Sequence, residues 1–176
     1  VTKEGTVTSA DVEPYENDYY SADELKAYAE EMLTAFESGN QSGDSDKKAE
    51  ITECTVKDGT AKLLITFPDA EEYIRFAEEY PDTESGIQVE SLDVVSVADG
   101  VEKGYIVGST FYKAGDENTE VSAVDITKQK KLYVACVKGS AKIQTDGAVQ
   151  YVSEGVTLNG DVAETPAGEI SYIIFK

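Results

Sequence analysis

AEITECTVKDGTAKLLITF, residues 49–67, contains the turn from which the rest of the fold is read. Asp58-Gly59 lies between two runs of β-branched and apolar residues. A two-residue Asp-Gly loop calls for a turn of the primed type, because that turn matches the right-handed twist of the strands it joins. The turn sets the register, with Val56 opposite Ala61 and Cys54 opposite Leu63. Side chains alternate along a strand, so one face of the hairpin carries Cys54, Val56, Ala61, Leu63, Ile65 and Phe67. Such a face needs cover, and helical sequence flanks it on both sides.

Before the hairpin, YYSADELKAYAEEMLTAF (19–36) reads as an amphipathic helix. Ser21 is a good N-cap, Glu24 three residues on completes a capping box, and Tyr20 and Leu25 are placed as a hydrophobic staple. Leu25, Tyr28, Ala29, Met32, Leu33 and Phe36 recur at the spacing of one buried stripe, and Gly39 ends it. Asp23 and Glu24 occupy the first turn, where the helix dipole favours negative charge. The mixture of aromatics and carboxylates at 16–31 is therefore a helix start before it is a ligand site. After the hairpin, FPDAEEYIRFAEEY (67–80) repeats the device, with Asp69 as cap, Glu72 three residues on, and Ala70, Tyr73, Ala77 and Tyr80 near one stripe. The likeness of the two helices needs no internal duplication, since capped amphipathic helices look alike.

The remainder reads as mostly β. YIVGSTFYK (105–113) and KLYVACVK (131–138) have strand character, and KAGDENTE (113–120) reads as a loop. Residues 96–104 fit either a short helix capped by Ser96 or a hairpin turning at Asp99-Gly100. VSAVDITKQKK (121–131) has room for one more helical turn. From Gly139 onward frequent glycines leave short strands, AVQYV, VTL and EISYIIFK, in the manner of an antiparallel meander or small sandwich. The expected class is α+β: an N-terminal helix-hairpin-helix unit (α-β-β-α) packed with a C-terminal antiparallel β-rich lobe. Residues 1–18, with few apolar residues and no period, are expected to be a flexible tether. Residues 19–176 are expected to be one α+β domain, with a division into lobes at 19–86 and 87–176 left open.

Of 176 residues, 35 are acidic and 15 basic, for a net charge of −20. That field repels phosphate backbones and anionic lipid headgroups, so nucleic acid and membrane surfaces are not expected partners. The asymmetry is marked, net −16 over residues 1–90 against −4 over 91–176. No run reaches the ~20 apolar residues of a membrane span, and the initial Val1 in place of Met is read as a sign that something ahead of it was removed, by processing or by the choice of the segment.

Chemistry is limited by what is missing. The chain has no His, so the usual general base, the Ser-His-Asp arrangement and imidazole metal ligands are all absent. Cys54 and Cys136 sit in apolar strand contexts with no C-x-x-C pair, and read first as small buried residues. No phosphate-cradling glycine loop follows a strand. No catalytic residue and no cofactor is expected. Two acidic loops are weak calcium candidates: Asp44 and Asp46 in GDSDKK, and Asp116, Asn118 and Glu120 beside Glu117 in GDENTE. Neither follows the twelve-residue EF-hand pattern, and solvated turns explain both. Tyr15, Tyr19 and Tyr20 are weak candidates for a ligand surface, against the plainer role of packing the tether's end onto the body.

Taken together, DYYSADELKAYAEEMLTAF, the VKDGTAKLLITF hairpin, DAEEYIRFAEE and the closing QYVSEGVTLNGDVAET…ISYIIFK resemble uncharacterised secreted lipoproteins of gut Firmicutes, of clostridial type. The resemblance runs from about Glu13 to Lys176 and rests on a cap, a turn and a closing strand. It implies export and attachment to the outer face of the cytoplasmic membrane through a lipid anchor upstream, and it transfers no functional residue. The expected function is a non-enzymatic extracytoplasmic binding module for an unknown protein or glycan partner. A glycan-acting surface enzyme using carboxylates alone and a calcium-stabilised adhesive module are the alternatives.

Overall fold

The computed structural model describes residues 1–14, 21–39, 48–82 and 85–176. It is a mixed α+β structure, mostly antiparallel sheet with four helices. Two compact units emerge, residues 6–79 and residues 1–5 with 80–176.

Unit 6–79 is built from β1 (Val7–Pro14), α1 (Ala22–Gly39), β2 (Glu50–Lys57), β3 (Thr60–Phe67) and α2 (Ala70–Glu79). Asp58 and Gly59 both have positive φ, 51° and 74°, as the primed turn requires. The register follows from that turn, Val56 opposite Ala61 and Cys54 opposite Leu63, until a bulge between Ile51 and Glu53. The expected α-β-β-α order gains a strand. Residues 7–14 are not a solvated tether: they pair antiparallel with β3 along its whole length, giving the sheet order β1-β3-β2. Val7 and Val12, five residues apart, point to opposite faces, which is why no apolar alternation marks this strand. Val7 is buried and Val12 exposed.

The capping box of α1 forms reciprocally: the Glu24 amide donates to Ser21 Oγ at 3.2 Å, and the Ser21 amide donates to Glu24 Oε2 at 2.8 Å. Ala29, Leu33 and Phe36 are the buried residues of its stripe. Tyr28, expected there too, is 66% exposed. In α2 the Glu72 amide donates to Asp69 Oδ1 at 2.8 Å, and Phe76, outside the expected stripe, is the residue buried. Phe36 and Phe76 meet edge to face at 5.3 Å between centroids, and Phe76 lies 5.0 Å from Phe67. Both helices thus close over the Phe67 end of one sheet face. The opposite face is mixed, with Thr8, Thr52 and Thr66 linked through their hydroxyls and Lys62 paired to Glu53 at 2.8 Å beside Leu64 and the exposed Val12.

The other unit holds β4 (Gln88–Ser96), α3 (Val97–Glu102), β5 (Phe111–Lys113), β6 (Asp116–Val121), α4 (Ala123–Thr127), β7 (Tyr133–Gln144), β8 (Val149–Ser153), β9 (Thr157–Asn159), β10 (Val162–Thr165) and β11 (Ile170–Phe175). Residues 96–104 take the helical alternative, with the Ser96 side chain accepting from the Asp99 amide. Two expectations fail here. Residues 105–110 are not strand: Ile106 is taken into the core just after α3 while Val107 stays exposed, so the apolar run serves a turn. Residues 116–120, expected as loop, pair with β5 as β6.

β7 organises this sheet. Residues 133–138 lie between β4 and β11, and 141–144 pair with β10. Its first half is buried on both faces, by one apolar cluster containing Val137, Ile173 and Phe175 and another containing Val134, Ile106, Ile126 and Ile174. The halves meet at Gly139, whose φ is 109° and whose missing Cβ would stand 2.0 Å from the Gln88 carbonyl oxygen. Thr165 Oγ1 secures the bend, accepting from the Ala141 amide at 2.9 Å and donating to the Gly139 carbonyl at 2.6 Å. Residues 1–5 belong to this unit: the Asp146 amide donates to the Val1 carbonyl at 3.0 Å, and the Lys3 amide donates to Asp146 Oδ1 at 3.2 Å. The tether reading therefore fails at both ends of its described part.

Candidate functional site

In unit 6–79 the helical cover stops short of the turn end of the sheet. Ile65 and Phe67 of β3 are buried, while Leu63 and Ala61, further toward the turn, are only partly so. The N-terminal half of α1 overhangs this open end and leaves a groove of about 340 Å³. Leu25, Val56, Ala61 and Leu63 make its aliphatic lining, and Tyr28 stands over it. Among the described residues its charged lining is of one sign: Asp11, Glu13 and Glu24.

Register explains two of those carboxylates. Asp11 lies opposite Leu63 and Glu13 opposite Ala61, so both are set on the face that carries the lining. Two residues apart on one strand, their Cα atoms are separated by about 6.5 Å. The third, Glu24, also serves the capping box, which fixes its side chain at the groove's edge. The surrounding charge has the same sign, since residues 6–79 carry 19 acidic and 6 basic side chains, net −13. Along the other flank of α1 a hollow of about 440 Å³ mixes charges, Lys26 with Glu30, Glu37 and Glu50, and Lys26 is already 3.7 Å from Glu30. It offers no single chemistry to a ligand.

The second unit holds a partly buried polar cluster where the end of α3 meets β4. Asp93 Oδ2 accepts from Lys103 Nζ at 2.5 Å and from the Tyr105 hydroxyl at 2.8 Å. Burial works against the charge on Asp93, but those two hydrogen bonds and the nearby ammonium outweigh it and hold the carboxyl below the usual range. Burial, then the bond to Asp93 and its charge, push Tyr105 up to about 12. Cys136, directly opposite Asp93 across the strand pair, is pushed up to about 11 by burial and by that same carboxylate. Cys54 is also raised, first by burial, and its thiol donates to the Ala22 carbonyl at 3.6 Å. Both cysteines are free thiols and poor nucleophiles.

Of the residues singled out from sequence, Tyr15, Tyr19, Tyr20, Asp44 and Asp46 lie outside the described residues. Asp116 is engaged in its own turn, with Oδ1 accepting from the Asn118 amide at 3.2 Å and Oδ2 from the Thr119 hydroxyl at 2.5 Å. The Thr119 bond is the main cause of its lowered pKa. Asn118 and Glu120 continue along β6, with Glu120 opposite Tyr112. Among the described residues no three of His, Cys, Asp and Glu are grouped to hold a metal ion, and no helix is long and apolar enough to cross a membrane.

The groove was not singled out from sequence. Leu25 and Tyr28 were assigned to a buried stripe, and Asp11 and Glu13 to a tether. The available signal was the Thr, Val and Ser content of TVTSADVE (6–13), which is strand-prone despite lacking alternation. Compared with known proteins, the chain matches no family model, no curated sequence and no solved structure.

Proposed function

We propose that this protein is a non-enzymatic, extracytoplasmic binding module of lipoprotein type, held at the outer face of the cytoplasmic membrane, whose ligand enters the groove of unit 6–79. The observation that carries the ligand site is the groove itself: partly buried aliphatic side chains, a Tyr 66% exposed above them, and three carboxylates, all from one unit. Tyr is favoured at recognition surfaces because it offers apolar area and a hydroxyl at small entropic cost. The absence of His from the sequence and the raised thiol pKa values support a binding role over covalent or acid–base chemistry. Export and lipid anchoring are supported by the resemblance of residues 13–176 to clostridial-type lipoproteins.

The test is a peptide and glycan array probed with residues 1–176 and with Tyr28→Ala, a change at an exposed position. Retention by the parent, weakened about tenfold or more in the variant, is the expected result. Equal retention by both removes the groove as the site, and no retention on any array removes the binding reading.

A second reading, glycan cleavage by carboxylates, has one observation in its favour. Asp11 and Glu13 lie on the same face of β1 and both line the groove, and a pair of carboxyl groups in one cleft is what glycosidases use. Release of reducing ends from a glycan panel, abolished by Asp11→Asn and by Glu13→Gln, would establish it.

A further inference from the structure

We draw no further inference here: the strongest candidate, the partly buried side-chain cluster of Asp93, Lys103, Tyr105 and Cys136 where the end of α3 meets β4, has its carboxylate already engaged by Lys103 and Tyr105 and leaves over only a lone cysteine, with nothing in the structure to show what would bind there.

Discussion

The two units use antiparallel sheet in opposite ways. In residues 80–176, β7 is buried on both faces for half its length, with apolar clusters on each side. In residues 6–79 the sheet has one mixed face, and its apolar face is covered only toward Phe67. The first arrangement packs Val134, Ala135 and Val137 between two apolar clusters, and its exposed apolar side chains, Val107, Val124 and Ile170, lie away from that stretch of β7. The second leaves a groove where the cover ends. Charge follows the same division, net −13 over the 74 residues of the first unit and −7 over the 102 of the second. The concave, partly apolar surface of the groove lies in the smaller, more acidic unit.

The largest expected effect tests the bend that lets β7 serve two sets of neighbours. Gly139→Val places a Cβ against the Gln88 carbonyl at a φ that β-branched residues avoid, and should cost about 4 kcal/mol. Amide exchange should show the loss concentrated in residues 80–176. An equal loss in residues 6–79 would break the description of two units.

Next comes the aromatic closure of the smaller unit. Phe36→Ala removes a fully buried ring that packs on Phe76, at a cost of about 3–4 kcal/mol in a urea melt followed by exchange in residues 6–79. Protection should fall in α1 and α2 together, since Phe36 packs on Phe76; a loss confined to α1 would show that α2 is held by Phe67 of the sheet alone.

A smaller effect concerns the cap that also borders the groove. Ser21→Ala removes the hydroxyl that accepts from the Glu24 amide, while the backbone amide of residue 21 can still donate to Glu24 Oε2, and should lower stability by about 1 kcal/mol in thermal melts. Amide exchange should show faster opening of the first turn of α1 in the variant; an unchanged melt would show that the remaining backbone contact to Glu24 suffices to start the helix.

The smallest effect is confined to alkaline pH. Tyr105 is held neutral up to about 12 against an ordinary value near 10, so its contribution is fully present below pH 10 and fades as the pH rises toward 12. The parent should lose stability over that window more steeply than Tyr105→Phe, with the change in exchange confined to residues 80–176. At the acid end the sign reverses. Asp93, depressed below the usual range, contributes above that range and loses its contribution as pH falls through its own pKa. An identical alkaline slope in parent and variant would show that the Asp93 cluster does not clamp α3 to β4.

Local signals were readable wherever one short stretch contained both the cause and the effect. The Asp58-Gly59 turn and its register, the box of Ser21 with Glu24, and the cap of Asp69 each depend on residues at most a few positions apart. β1 was not readable, because Val7 and Val12 fall on opposite faces and the strand's partner lies about fifty residues away. Residues 105–110 misled for the converse reason: an apolar run next to α3 supplies Ile106 to the core from a turn, and only 111–113 are strand. The groove combined both difficulties, drawing two carboxylates from the unrecognised strand and Tyr28 from a stripe that was taken as wholly covered.

By itself the sequence determined the α+β class, the hairpin with its face of six apolar or small residues, the helix starts, and an acidic character that disfavours anionic partners. These follow from turn chemistry, capping and periodicity, which act over a few residues. Only the tertiary structure decided that β1 joins the sheet, that α2 closes over Phe67 and no further, and that Asp11, Glu13, Glu24 and Tyr28 surround one aliphatic groove. Which part of an amphipathic stripe stays uncovered depends on where a distant helix ends, and no local pattern encodes that.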